Sequence, residues 1–405
     1  MLRCGLLGRR LGHSYSPAIH AMLGDYEYGL YEKEPEALEE FLRHGGLDGL
    51  NVTIPYKKTV MQWCDALSDE ALRIGSVNTL TVKDGKITGY NTDCDGFAWL
   101  LQASGFDPAG KKALVLGSGG ASLAVQDVLR NRGAQVVVVS RTGEDNYGNL
   151  ARHRDAALLV NATPVGMYPH TGVSPVAVED FPQCRAVLDL IYNPAKTRLL
   201  LDAEKLGIPA FNGLSMLVAQ AARASALFTG APVPAQRIGQ ITEAIARRER
   251  NIILIGMPGC GKTSVAKALA AQTGREFLDC DACLEQAAGK PIPENFARDG
   301  EAAFRRLETQ TLQSLCCQSG KVIATGGGVV TRPENRDILR QNGVLIFLQR
   351  PLEELQVSGR PLSEQKGVAA LAEQRLPLYR AWSDCVVDVC GAQATANRIR
   401  KELEL

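Results

Sequence analysis

The segment Gly256-Met-Pro-Gly-Cys-Gly-Lys-Thr263 constrains this chain more than any other. It fits the pattern GxxxxGK[ST] and stands between an apolar run, IILI, and a helix-forming run, SVAKALAAQ. A strand that feeds a glycine turn and then a helix is the context in which this pattern forms a phosphate cradle. Gly256, Gly259 and Gly261 let backbone N–H groups along the loop, through Cys260 and on to Ser264, turn towards phosphate oxygens, and the helix start adds positive potential. Lys262 is expected to bridge the outer phosphates of a nucleotide, and Thr263 to bind magnesium.

A second strand, glycine turn, helix and strand begins at Lys111: KKALVLG, SGGASLAVQDVLRNRG, then AQVVVVSRT. Short buried runs alternating with helices predict a parallel, doubly wound sheet, which AALLVNAT and AVLDLIY continue. Gly117-Ser-Gly119-Gly120-Ala121-Ser122 occupies the place of a dinucleotide pyrophosphate turn, although Ser122 stands where Gly or Ala is usual. The second strand ends in Ser140, Arg141 and Thr142, with no acidic residue to bond a ribose 2′-hydroxyl. Arg141 suits a 2′-phosphate, so NADP is favoured over NAD.

At 405 residues the chain should hold two or three domains. Residues 1–105 mix short apolar runs with helical stretches, and Asp84-Gly85 in NTLTVKDGKITGYN suits a type I′ hairpin turn. This block reads as an α/β substrate domain. The dinucleotide domain follows at 106–227. Two helical stretches, GLSMLVAQAARASALF and AQRIGQITEAIARRER, are split by TGAPVPA and should pack back across both blocks, the span at about 228–249 completing the first domain. A new strand, NIILIG, opens a third block, 251–405, with almost no linker. The boundary falls at about 250, beside Arg247, Arg248, Glu249 and Arg250.

Lys plus Arg number 45 against 44 Asp plus Glu, which removes any global field pointing to nucleic acid or a membrane surface. Small-molecule partners remain. The eleven cysteines are scattered, and Cys316 and Cys317 are adjacent, which suits free thiols in a reducing compartment. Cys280-Asp281-Ala282-Cys283 has metal-site spacing but no second such pair, so a structural reading is preferred. No long apolar segment marks a signal peptide or reaches the roughly 18 residues of a spanning helix, so a cytoplasmic protein is expected.

Asp279 and Asp281 stand two apart at the end of the predicted strand FLD, which should set both carboxylates on one side. One could order magnesium water while the other accepts a proton from a hydroxyl. Further on come GEAAFRRLE with Arg305, Gly326-Gly327-Gly328 after KVIAT, and RLPLYR with Arg375. With the phosphate loop, this series resembles the shikimate kinase family over residues 251–405. The resemblance implies a P-loop fold like that of nucleoside monophosphate kinases, with ATP and Mg2+. It also implies that Asp281 is the base, that Asp279 helps hold magnesium, and that Arg305 and Arg375 grip a carboxylate with Gly327 and Gly328 beside the ring. Planar guanidinium forks suit that task. Arg360, in SGRPLS, matches a lid arginine that reaches the transferring phosphate. The lid stretch is short, and no arginine lies between Arg350 and Arg360 where the family commonly places one near adenine.

GHSYSP, NVTIPYKK, SVNT, YNTDCDGF, NATPVGM, LIYNP and GLSMLVAQA together make residues 1–249 resemble shikimate dehydrogenase. The resemblance implies a two-lobed α/β substrate domain with a Rossmann NADP(H) domain. Ser14, Ser16, Thr53, Asn78 and Gln220 would bond the carboxylate and hydroxyls of the substrate, and Lys57 and Asp93 would form the catalytic pair. A carbonyl that accepts hydride gathers negative charge on oxygen, so a donor must stand within reach. Tyr192 and Gly213 would border the nicotinamide and the substrate, Met216 would pack near the transfer site, Asn161, Ala162 and Thr163 would lie under the cofactor, and His13 would hold its local turn. The span from Thr142 to Asn161 lacks a further basic residue common in the family. The implied chemistry is reduction of 3-dehydroshikimate to shikimate, then phosphorylation of the 3-hydroxyl. Quinate as first substrate stays open. So does a ligand sensor built from degenerate domains, against which the retained Lys57, Asp93, Lys262 and Asp281 count.

Overall fold

The runs KALVL and NIILI each become an interior strand of a parallel five-stranded sheet. The computed structural model describes residues 1–12, 14–355 and 367–405. The chain falls into two units. Met1–Gly166, Val173–Tyr192 and Leu199–Ile245 make one, and Met167–Gly172, Asn193–Arg198 and Ala246–Leu405 the other.

The first unit opens with a mixed sheet of β1 (Arg3–Gly8), β2 (Glu27–Glu32), β3 (Gly49–Val52), β4 (Ala66–Leu67), β5 (Thr79–Lys83) and β6 (Lys86–Tyr90), in the order β2-β1-β3-β5-β6-β4. Strands β5 and β6 are antiparallel and pair Lys83 with Lys86. Asp84 at φ 52° and Gly85 at φ 73° fill the two positions between them, both left-handed as a type I′ turn demands. The helix Leu214–Thr229 lies against this sheet at Gly49, where a Cβ would come 2.3 Å from Cδ1 of Phe228. The same helix packs along the helix Asp93–Ala103. They touch at Gly96, where a Cβ would sit 2.7 Å from the Met216 carbonyl oxygen.

The second sheet of this unit contains β7 (Lys112–Leu116), β8 (Gln135–Val139), β9 (Leu158–Asn161), β10 (Ala186–Asp189) and β11 (Ala210–Phe211), all parallel, in the order β11-β10-β9-β7-β8. Val115, Val160 and Leu188 belong to one apolar cluster, and Leu114, Leu159 and Val187 to another. Burial on both faces is why these strands read as continuous apolar runs. The chain leaves β7 for β8 on one side and returns to β9 on the other, so a crevice opens at their carboxyl ends. Gly117 begins the turn there at φ 104°, and a Cβ would meet Thr163 Cγ2 at 2.8 Å. Only glycine fits both demands.

The other unit holds β12 (Asn251–Ile255), β13 (Phe277–Asp279), β14 (Val322–Ala324), β15 (Gly343–Gln349) and β16 (Cys385–Asp388), parallel in the order β13-β14-β12-β15-β16. The loop after the central strand β12 leads into the helix Lys262–Thr273. A long helical stretch, Ile292–Cys316, kinks at Gly300, and Val368–Trp382 carries Pro377 inside it. Among the described residues no helix is long and apolar enough to cross a membrane.

The contact at Gly49 yields a direct test. Gly49→Ala forces the Phe228 ring aside in a closed core and should lower stability by about 1–3 kcal/mol, read as a reduced Tm in thermal unfolding.

Candidate active sites

Tyr56 fixes the loop after β3: its buried hydroxyl donates to the Lys33 carbonyl at 2.6 Å, and Val77 N–H donates to the Lys57 carbonyl at 2.8 Å. Lys57 thus projects into a cavity of about 310 Å³ within the first unit. Asp93, the first residue of the helix Asp93–Ala103, faces it. Lys57 Nζ donates to Asp93 Oδ2 at 2.6 Å, with the side chains 19% and 9% exposed. A carboxylate at a helix start is also favoured by the helix dipole. The other oxygen, Oδ1, accepts from Asn78 Nδ2 at 2.8 Å.

Ser14, Ser16, Thr53 and Asn78 line the same cavity with this pair, and Gln220 reaches it from the helix Leu214–Thr229. Ala121, Tyr192, Gly213 and Met216 close it on the side of the parallel sheet. Gly213 has no room for a side chain, since a Cβ would lie 2.1 Å from the Leu190 carbonyl oxygen. Two residues that motif reading passed over also line it: Asn51, and Arg10, which is mostly exposed and 3.5 Å from Glu32. Thr92 was missed as well; its hydroxyl donates to Gln220 Oε1 at 3.3 Å. The signal was adjacency, Thr92 being the residue before Asp93. His13 lies outside the described residues.

In the turn after β7, Gly119 caps the helix and Gly120 opens it. Ser122 is fully buried, donating to the Gly117 carbonyl at 2.6 Å and accepting from Gln126 Nε2 at 3.0 Å. The departure from Gly or Ala there is a hydroxyl that ties the turn to itself. Ser140 N–H bonds the Asp145 carbonyl at 3.1 Å, and Arg141 and Thr142 stand exposed past β8. Asn161 is fully buried and used inside the fold, donating to Asp189 Oδ1 at 3.0 Å and accepting from the Thr163 hydroxyl at 2.6 Å. Neither Asn161 nor Thr163 lines the cavity; Ala162 and Thr163 form the floor against which Gly117 packs.

In the other unit a cavity of about 400 Å³ is bounded on one side by Gly259, Gly261, Lys262, Thr263 and Ser264. Lys262 is nearly buried, and its ammonium donates to the carbonyls of Gly256 at 2.9 Å and Met257 at 3.0 Å. Cys260 turns its thiol into the core, which leaves only its backbone to the loop.

The expectation that strand alternation aligns Asp279 with Asp281 is wrong. Asp279 ends β13 and caps the next helix, Cys280–Ala288, accepting from the N–H groups of Asp281 at 3.0 Å and Ala282 at 3.3 Å. Asp281 therefore sits in the first helical turn, because the capping carboxylate stops the strand and starts the helix. Thr263 Oγ1 donates to Asp279 Oδ2 at 2.9 Å. Asp281 opens onto the cavity yet is crowded by protein atoms. This crowding, with the charge of Asp279, pushes its carboxyl up to about 6, while Lys262 pulls the other way. Gly326 permits the approach, as a Cβ would lie 2.8 Å from both Asp281 Oδ1 and Glu308 Oε1.

Arg305 and Arg375 line the same space at 7% and 2% exposure. Arg305 pairs with Glu308 at 2.7 Å and packs on Gly328, where a Cβ would lie 2.1 Å from the guanidinium. Arg375 donates to the Gly327 carbonyl at 3.2 Å, and the Tyr379 hydroxyl donates to the same oxygen. Among the described residues the Nε atoms of both arginines are buried without a hydrogen-bond partner. Glu301, more exposed, also lies 3.7 Å from Arg305, so Arg305 is shared between two carboxylates while Arg375 bonds a backbone carbonyl. Glu308 went unnoticed in RRLE, although three-residue spacing from Arg305 on a helix is a pairing signal. Phe296 and Phe304, with ring centroids 4.4 Å apart, add an apolar wall. Arg360 lies outside the described residues. Among the described residues no three His, Cys, Asp or Glu side chains gather as a metal cluster, Cys280 and Cys283 included.

Fold and cavities together define two enzyme classes in one chain, a dinucleotide-dependent oxidoreductase and a P-loop phosphotransferase. Residues 6–80 match the shikimate dehydrogenase substrate binding domain, and residues 258–404 match shikimate kinase. The shikimate dehydrogenase (NADP(+)) of Methanopyrus kandleri is 41% identical over 265 residues, covering 57% of this chain and 91% of that protein. A chorismate mutase/shikimate 5-dehydrogenase fusion from Clostridium acetobutylicum has TM-score 0.58 at 35% identity, over 60% of this chain and 97% of that one. The Thermus thermophilus shikimate 5-dehydrogenase, solved with NADP(H) and shikimate, has TM-score 0.56 at 37% identity, over 60% and 99%. The chain belongs to the shikimate dehydrogenase family and carries a shikimate kinase domain fused behind it.

Carboxyl carbon chemical shifts test the second cavity's electrostatics. Asp281 should titrate near pH 6. In Asp279→Asn, where a neutral residue still caps the helix, the midpoint should move down, because the raising charge is gone while burial remains.

Proposed function

We propose that the first unit reduces 3-dehydroshikimate to shikimate with NADPH and that the second phosphorylates the 3-hydroxyl of shikimate with ATP, two successive reactions of aromatic biosynthesis. The observation that carries the first half is the Lys57–Asp93 pair at 2.6 Å, set in a cavity with Ser14, Ser16, Thr53, Asn78 and Gln220. NADPH supplies the hydride. Lys57 donates a hydrogen bond and then a proton to the oxygen that gathers charge as the carbonyl carbon is reduced, and Asp93 holds the ammonium in line. The hydroxyls and amides around the pair bond the carboxylate and hydroxyls of the ring. Tyr192, Gly213 and Met216 border the nicotinamide side. The Gly117–Ala121 turn takes the pyrophosphate, and Arg141, exposed past β8, takes the 2′-phosphate.

In the second cavity the guanidiniums of Arg305 and Arg375, which line the space together with Gly327 and Gly328, fit a substrate carboxylate. ATP supplies the phosphoryl group. Asp281, with its raised proton affinity, accepts the proton of the 3-hydroxyl, and Lys262 and the loop N–H groups hold the phosphates. Thr263 and Asp279, bonded at 2.9 Å, fit magnesium, which takes few protein ligands and keeps several waters. Arg360 is assigned to the transferring phosphate from its motif. The order of reactions follows from chemistry: the ketone has no 3-hydroxyl to phosphorylate.

Single variants separate the halves. Lys57→Ala should cut reduction by about 10²–10⁴-fold and leave phosphorylation of added shikimate intact, and Asp281→Ala should do the reverse. Full activity in both variants would overturn these roles, and faster oxidation of quinate than of shikimate would overturn the first substrate.

A further inference from the structure

At the floor of the first cavity runs a set of buried polar side chains, of which Asn51 and Asn78 line the cavity and Thr79 lies behind them. Thr79 is fully buried in β5, Asn51 is 5% exposed, and Asn78 and Thr92 are 3% and 1% exposed. One backbone group fixes the orientation of the Asn78 amide. Thr92 N–H is only a donor, and it bonds Asn78 Oδ1 at 2.7 Å. The Asn78 amide must then aim its NH2 at Asp93 Oδ1. Thr79 Oγ1, 3.1 Å from Asn78 Oδ1, donates to that oxygen and accepts from Asn51 Nδ2 at 3.1 Å. This leaves Asn51 Oδ1 to accept from the Tyr28 hydroxyl at 2.7 Å. Tyr28 in turn stacks on His20 at 3.9 Å, and the Tyr26 hydroxyl lies 2.7 Å from His20 Nδ1.

Every donor from Tyr28 onward points the same way, and the chain ends on the carboxylate that holds Lys57. Successive hydrogen bonds aligned in this way polarise one another in a low-dielectric interior. They also keep Asp93 Oδ1 occupied, so that Oδ2 alone addresses Lys57. A second branch leaves from Thr92, whose hydroxyl accepts from Asn78 Nδ2 at 3.1 Å and bonds Gln220 in the cavity. The Thr92 hydroxyl also stands 3.2 Å from Asn78 Oδ1 and 3.3 Å from Thr79 Oγ1, so Thr79 and Thr92 flank that oxygen together.

We infer that Thr79 is a positioning residue for the reduction, acting through Asn78 on the Asp93 carboxylate from the middle of a one-way hydrogen-bond chain that begins at Tyr28. The inference rests on the reading of Lys57 and Asp93 as the catalytic pair. Thr79 itself touches neither substrate nor cofactor space, and its effect should appear in kcat more than in KM.

Thr79→Val keeps the shape and removes the hydroxyl. In the full chain its kcat for reduction should fall about tenfold, with Thr79→Ser restoring it to within about twofold, and phosphorylation of added shikimate should be unchanged. A merely structural role is separated by repeating the change in Asp93→Asn, where Thr79→Val should cost less than about twofold more because its target is already neutral. An equal loss in both backgrounds, or no loss with Asp93 present, would overturn the proposal. If Asp93→Asn alone left reduction unchanged, the catalytic pair itself would be wrong and this inference would fall with it. Should Thr79→Val not fold, as judged by thermal melting, Tyr28→Phe removes the first donor. It should lower kcat about threefold in the Asp93 background only, and an equal effect in both backgrounds would overturn the proposal.

Discussion

Asp93 stands at the start of a helix with its two oxygens divided between Lys57 and Asn78. The first cavity depends on that division, because it holds the lysine on one oxygen and the amide on the other in a fixed geometry. The helix start favours the carboxylate, the Tyr56 anchor aims the lysine, and close packing at Gly96 brings the Gln220 helix to the same place. Remove the side-chain-free contacts at Gly49, Gly96 and Gly213, and the three walls no longer converge on the pair.

The second unit uses a related device with the opposite electrostatic result. Asp279 caps its helix and has both oxygens bonded to donors, whereas Asp281, in the first turn, is left crowded and close to Asp279, Glu308 and Glu285. In the first cavity charge is cancelled in a pair. In the second, Asp281 shares one cavity with Glu285, Glu308 and two guanidiniums, one of them paired with Glu308, and Lys262 pulls Asp281 back towards ionisation. A carboxyl of raised proton affinity and two buried guanidiniums thus line the same space.

The parts most legible in sequence were those where backbone geometry demands one residue type. Asp84-Gly85 announced its turn, and Gly117 and the loop from Gly256 to Gly261 announced theirs, since positive φ and close approach leave few alternatives. The apolar runs of β7, β9, β10 and β12 named their parallel sheets because both faces are buried. Family motifs gathered the cavity residues into sets, and most of those sets do meet. What stayed hidden depended on three-dimensional hydrogen bonding. Asp279 ends its strand by capping a helix, Ser122 ties its own turn, Asn161 works inside the fold, and Glu308 shares Arg305. Thr79 and Asn51 looked like ordinary strand residues until their partners across the sheet were in view. The membership of Met167–Gly172 and Asn193–Arg198 in the second unit is likewise a matter of tertiary contact, with no composition signal to mark it.

The central claim is that one chain makes a hydroxyl at its first site and phosphorylates that same hydroxyl at its second. The most direct test incubates the intact protein with 3-dehydroshikimate, NADPH and Mg-ATP while following NADPH loss and ADP release together. The account predicts that ADP appears only when NADPH is present, in step with its consumption after a lag, and that the product carries phosphate on the 3-hydroxyl. ADP release from 3-dehydroshikimate without NADPH, or complete NADPH consumption with no phosphorylated product, would contradict it.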